Sequence, residues 1–187
     1  MKKIQIAFLA VISSIVLVSC NTKDDDFFNS VYLDAPDLVR VDDPTIDGIV
    51  GNILSFHVVI DRYLDEGLTT PLDIYKTTGA TSFGFSYSLE VKNSSGNWVS
   101  YLNGGAEYNV GEVVYDSVNE TYSFDKTISL SAGTYRFRLG ESHQGAANTD
   151  FISRNEPNKT SVVISSRPKK FDGTYFDNDG YYYFTID

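Results

Sequence analysis

Cysteine and histidine are scarce: the 187-residue chain has one Cys and two His. One Cys excludes an intrachain disulfide, and so small a set excludes the usual Cys/His zinc sites. Basic residues are few, 15 Lys and Arg against 25 Asp and Glu, giving a net charge of -10. That balance argues against nucleic acid and against an electrostatic grip on anionic lipid. The apolar run from about Ile4 to Val18 is broken by Gln5, Ser13 and Ser14. It falls short of the roughly 20 residues that cross a bilayer. No window carries a helical period. Aromatic residues, by contrast, are plentiful. Thirteen Tyr and 12 Phe within a 42% apolar composition exclude a disordered chain. The length suits one domain and is thin for two.

Residues 1–19 place Lys2 and Lys3 before the apolar run. Length and flanks match a secretory signal peptide, with a retained anchor helix as the alternative. Leu17-Val18-Ser19-Cys20 closes it and resembles the lipobox of bacterial lipoproteins. The resemblance implies that the Cys20 thiol receives a diacylglyceryl group and becomes the mature N-terminus. Two or more acyl chains make a stable membrane anchor. Lys23, Asp24 and Asp25 follow, and this run resembles the surface-export signal of Bacteroidota-type lipoproteins. It implies an outer-membrane protein facing outward. The alternative is a solvated acidic tether on a periplasm-facing protein. Residues 20–48, with Pro36, Pro44 and acids at Asp42, Asp43 and Asp47, read as tether and approach, with a short edge strand at Val31–Leu33.

Residues 49–187 read as strands. Leu54, Phe56, Val58 and Ile60 alternate with polar neighbours, as do Phe83, Phe85, Tyr87, Leu89 and Val91. The pattern repeats at Tyr122, Phe124, Ile128 and Leu130, and at Tyr135, Phe137 and Leu139, where Arg136 and Arg138 take the wet face. Period-2 alternation marks antiparallel sheets with one buried and one solvated face. Turn residues at 93–97, 116–120 and 177–180 suit hairpins. The expectation is an all-β, two-sheet antiparallel sandwich of nine or ten short strands. Leu130–Phe137 resembles the tyrosine corner of immunoglobulin-like and fibronectin-type Greek-key domains. There a Tyr returns its hydroxyl to the upstream backbone. The resemblance implies that role for Tyr135, and Trp98 is a candidate inter-sheet core Trp.

Little chemistry is legible. His57 and His143 are the only candidate bases, there is no Gly-x-Ser-x-Gly elbow, and both histidines read as surface or loop residues. Carboxylate pairs are too common in an acidic chain to identify a hydrolase. Asp177 and Asp179 resemble the opening of a calcium loop but lack the twelfth-position Glu; they read as a hairpin turn, so no metal or other cofactor is assigned. Asp116-Ser117-Val118 resembles the Asp-Ser/Thr-apolar O-glycosylation site of the same bacterial group, which would make Ser117 an acceptor. Asn93, Asn119 and Asn158 open N-x-Ser/Thr triplets that carry little meaning in a bacterial chain. The clearest signal is the aromatic end of the chain. Tyr181 and Tyr183 share one strand face, while Tyr182, Phe184 and Ile186 share the other. One set is expected outside, where Tyr175, Tyr181 and Tyr183 would form a platform for a sugar ring or a protein partner. The expected function is a membrane-anchored, non-catalytic binding module for a glycan, polymer or surface protein. An assembly subunit pairing through a strand edge and a small carboxylate hydrolase are the alternatives.

Overall fold

The computed structural model describes residues 29–35, 37–42, 52–65, 70–102, 108–140 and 142–187. The expected signal peptide, Cys20, the Lys23-Asp24-Asp25 run, Asp43 and Asp47 lie outside them.

Alternating hydrophobic residues become strands, as expected. In β3 (Ile53–Asp61), Leu54, Phe56, Val58 and Ile60 are all fully buried. β9 (Thr121–Ser129) pairs with β3 over nine residues, with Leu54 opposite Ile128. β8 (Asn109–Asp116) follows β9, and β6 (Ser82–Lys92) follows β8. β11 (Thr149–Arg154), β12 (Thr160–Ser166) and β1 (Asn29–Asp34) extend the sheet on that side. β2 (Val39–Asp42) and β13 (Lys169–Lys170) extend it beyond β3. The resulting order is β1-β12-β11-β6-β8-β9-β3-β2-β13. β6 also carries β10 (Gly133–Leu139) and β7 (Trp98–Ser100) on its C-terminal half, and β14 (Tyr182–Ile186) pairs with β10. β4 (Tyr63–Leu64) and β5 (Leu72–Asp73) form a separate two-stranded sheet. A single helix, α1 (Ile74–Thr78), is described. Asp73 caps it by accepting the Lys76 N–H, and Gly79 ends it at φ +67°.

Chain connectivity forces the large sheet to curl. β12 is next to one edge of the sheet and β13 is the other edge. Yet an extended chain from Ser166 to Lys169 reaches at most about 11 Å. β1 and β2 likewise sit toward opposite edges, and the chain from Asp34 to Val39 spans at most about 18 Å. Ala35 N–H donates to Ser165 O (2.9 Å) on one side, and Val59 N–H donates to Leu38 O (3.0 Å) on the other. The curl encloses an aromatic core. Phe56 of β3 meets Phe137 of β10 at 5.0 Å between ring centroids, although these strands share no hydrogen bonds. Phe56 also touches Tyr87 and Phe124. Each such ring contributes about 1.5–3 kcal/mol by burial.

The structure differs from the sequence expectations in several places. The described residues hold fourteen strands rather than nine or ten. Three of them have only two residues, too few to show alternation. The sheet is mixed rather than purely antiparallel, because β1–β12 and β2–β13 run parallel. Val31–Leu33 lies in the expected edge strand, β1, and β2 also lies in the sheet, so residues 29–34 and 39–42 of the expected approach segment are part of the large sheet. The small-residue face of β6 is covered: Ser82 and Ser88 are buried. Over Gly84 the Arg154 guanidinium lies where a Cβ would stand 2.5 Å from Nε. Trp98 is no core residue; it lies half-buried on short β7 among charged side chains. The hydroxyl-to-backbone bond expected of Tyr135 is present, with its Oη donating to Ser131 O at 2.7 Å.

Candidate binding face

β14 alternates as the sequence implies: Tyr182, Phe184 and Ile186 are buried and Tyr183 is 41% exposed. Register then assembles a face from strands far apart in sequence. Tyr183 stands opposite Arg136 on β10, Arg136 opposite Glu90 on β6, and Glu90 opposite Ser100 on β7. Side chains in one such row point to one side of the sheet.

The row is built around two arginines. Arg136 Nε donates to Glu90 Oε2 at 2.6 Å. Its guanidinium lies 4.3 Å from the Tyr181 ring centroid and 4.8 Å from that of Trp98. Arg138 follows two residues on, at 5.2 Å from Tyr181 and 5.4 Å from Tyr108. It donates to the Tyr181 hydroxyl (3.2 Å) and the Tyr108 hydroxyl (2.8 Å). Aromatic and cationic groups therefore alternate as Trp98, Arg136, Tyr181, Arg138 and Tyr108. Tyr183 closes the face, 5.9 Å from Tyr181 and 6.0 Å from Trp98. Each cation–π contact contributes about 0.5–1 kcal/mol at such a site. Rings and cations hold one another in place, so little side-chain entropy remains to be lost on binding.

This corrects one sequence expectation. Arg136 and Arg138 do point outward, but Arg138 is buried, because the rings of Tyr181 and Tyr108 cover it. Burial opposes the charge on Arg136, yet the Glu90 carboxylate outweighs it and raises the guanidinium above its ordinary value. Burial pushes the Tyr183 hydroxyl up as well, helped by its bond to Asp179 Oδ2 at 2.8 Å.

The 177–181 turn positions the two tyrosines. Gly180 N–H donates to Asp177 O, and Asp177 N–H to Tyr181 O. Gly180 has φ +80°, and a Cβ there would lie 1.9 Å from Ala146 O. Only glycine satisfies both the conformation and the contact. Asp179 accepts the Tyr181 N–H and the Tyr183 hydroxyl, while Asp177 faces Lys170 Nζ at 3.6 Å. The Asp179 carboxylate thus serves the turn, while that of Asp177 is turned to a lysine. Among the described residues no three His, Cys, Asp or Glu side chains converge as a metal site.

Tyr175 is not part of this row. It forms an isolated bridge with Lys169, and Arg167 and Lys169 lie over its ring at 4.8 and 5.0 Å. Ser117 occupies the β8–β9 hairpin tip beside Val118, which is 87% exposed. Asp116 Oδ1 accepts the Val118 N–H there.

Both histidines pair with aspartates. His57 of β3 hydrogen-bonds Asp125 across the β3–β9 ladder. His143 Nδ1 meets Asp150 Oδ2 at 2.8 Å, and Ser142 donates to the other oxygen of Asp150. In a hydrolytic triad the imidazole stands between hydroxyl and carboxylate. Here the carboxylate stands between hydroxyl and imidazole. Burial opposes ionisation of Asp150, but its bonds from Ser142 and His143 hold the carboxyl below its ordinary value.

Trp98, Arg136, Arg138, Glu90 and Tyr108 escaped sequence reasoning as members of one site. The alternation of Arg136 and Arg138 with core aromatics placed them outside, but their partners depend on strand register. No family model matches the chain, and neither a curated protein nor a solved structure matches it significantly.

Proposed function

We propose that this protein is a lipoprotein of the bacterial outer membrane, held by acyl chains on Cys20 and facing outward. Its folded body is an immunoglobulin-like sandwich that acts as a non-catalytic binding module for a glycan. The observation that carries the reading is the outward row of Trp98, Tyr181 and Tyr183 interleaved with Arg136 and Arg138. Aromatic faces take the apolar faces of pyranose rings, while guanidinium and phenol groups bond sugar hydroxyls. Trp, Tyr and Arg are also the residues that concentrate binding energy at recognition surfaces. The lipobox-like end of the apolar run and the Lys23-Asp24-Asp25 segment support the location.

The test is a glycan array with the full-length protein in detergent, beside a Tyr181→Ala/Tyr183→Ala variant. The variant is expected to lose at least about tenfold in affinity. Equal binding by both proteins, or none by either, removes the platform from consideration.

A further inference from the structure

A second surface borders the same turn. β13 is the last strand of the large sheet and runs parallel to β2, placing Lys169 directly opposite Arg40. Like charges directly opposite each other destabilise a sheet. Lys170 is the next residue, and a cleft of about 360 Å³ opens here, lined by Arg40, Lys169, Lys170, Phe171, Asp37 and Gly173 among others. That volume lies in the range of small-molecule sites.

Among the described residues three acids, Asp37, Asp172 and Asp177, stand beside these cations, and two of them pair with the lysines. Asp37 holds Lys169 Nζ at 2.5 Å. Asp172, also on the cleft wall, turns its Oδ1 to the N–H and hydroxyl of Thr174 (2.8 and 2.6 Å). Asp177 reaches Lys170 only at 3.6 Å. Arg167 adds a further cation at this corner. Its Nη2 donates to Asn178 Oδ1 (3.1 Å), and its Nε is buried with no hydrogen-bond partner among the described residues. In a chain of net charge -10, four of the 15 basic residues meet at one edge, where a half-exposed Tyr175 ring lies beneath two of them. The 177–181 turn links this cleft to the aromatic row, because Asp177 faces Lys170 and the same turn ends in Tyr181.

We infer that the glycan is acidic and that the Arg40–Lys169–Lys170 cleft receives its anionic group, a sugar carboxylate or a sulfate ester. This rests on the glycan reading of the aromatic row and names the class of sugar. Guanidinium and ammonium groups bond such oxyanions with charge-assisted hydrogen bonds. Phe171 and Val39 on the cleft wall supply apolar surface for the ring that carries the acid.

The experiment measures affinity of the full-length protein in detergent for matched pairs. These are oligogalacturonate against its methyl ester, and dextran sulfate against dextran. Phosphatidylglycerol vesicles form a separate arm. The acidic member is expected to bind at least about tenfold more tightly, with affinity falling as salt rises. Which acidic member binds identifies the source as carboxylate or sulfate. Arg40→Gln and Lys169→Gln are each expected to remove most of that preference, and their melting curves verify folding. Tyr181→Ala/Tyr183→Ala is expected to weaken acidic and neutral glycans alike. Equal binding of acidic and neutral members, or Gln variants that keep the preference, overturns the inference and leaves the glycan reading standing. Binding to the vesicles with no preference among glycans overturns it in favour of a membrane surface. Retention of no glycan of either kind defeats the reading and the inference together.

Discussion

The curl of the large sheet has a measurable energetic signature at Phe56 and Phe137. These rings belong to strands that share no backbone hydrogen bond, yet their centroids are 5.0 Å apart and both are fully buried. Phe56→Leu and Phe137→Leu each keep most of the volume and an apolar surface. Each is expected to cost about 1–1.5 kcal/mol, near the upper end for volume-conserving swaps. The aromatic pair itself adds about 0.5–1.5 kcal/mol beyond area burial. The first substitution removes that contact, so the second no longer loses it. The double variant is therefore expected to be about 1 kcal/mol more stable than the sum of the single losses. A domain holds about 5–15 kcal/mol in total, so all three variants remain folded. Urea unfolding with linear extrapolation reads the difference from midpoints at constant slope. Val118→Ala, at the exposed hairpin tip, paired with Phe56→Leu is the control, expected to be additive. Additivity of Phe56 and Phe137 within about 0.3 kcal/mol would refute the reasoning, because the two strands would then not face each other across one core.

Two further outcomes follow from the charges and the N-terminus. Asp73 is held below its ordinary value of 3.8 by hydrogen bonds from Arg62, against the effect of burial. Asp150 is held down likewise. A depressed folded value means that the unfolded chain takes up protons first on acidification. The contribution is therefore complete above about pH 5 and is lost as pH falls through 3.8 and below. An Asp73→Asn/Asp150→Asn variant is expected to be less stable at pH 7 and to show a flatter decline in melting temperature between pH 5 and pH 2.5. Parallel declines in the two proteins would contradict this. For the anchor, Cys20→Ser is expected to move the protein from the membrane pellet to the soluble fraction, and added protease is expected to degrade the native form on intact cells. Retention of the Cys20→Ser variant in the pellet would contradict the lipid anchor.

The alternation at Leu54–Ile60 determined by itself which side chains enter the core, and that at Tyr182–Ile186 determined which side chains share a face, because a strand turns every second residue to the same face. Tyr135 followed by Phe137 was legible for the same reason, and the local hydroxyl bond to Ser131 spans only four residues. The exterior position of Tyr181 and Tyr183 was legible too. Sequence also carried the composition, the charge and the leader-like run. It did not carry the neighbours of those outward residues. Arg136 meets Tyr183, Glu90 and Trp98 only because β10, β14, β6 and β7 pair in a given register, and register links residues dozens of positions apart. The parallel placement of β1 and β2 was hidden likewise, since both are short and neither alternates over a useful length. The Lys169–Arg40 juxtaposition, and with it the cationic cleft, exists only once the sheet has curled far enough for the chain after β12 to reach its opposite edge. Local periodicity sets the face of a residue; the closing of the sheet decides its company.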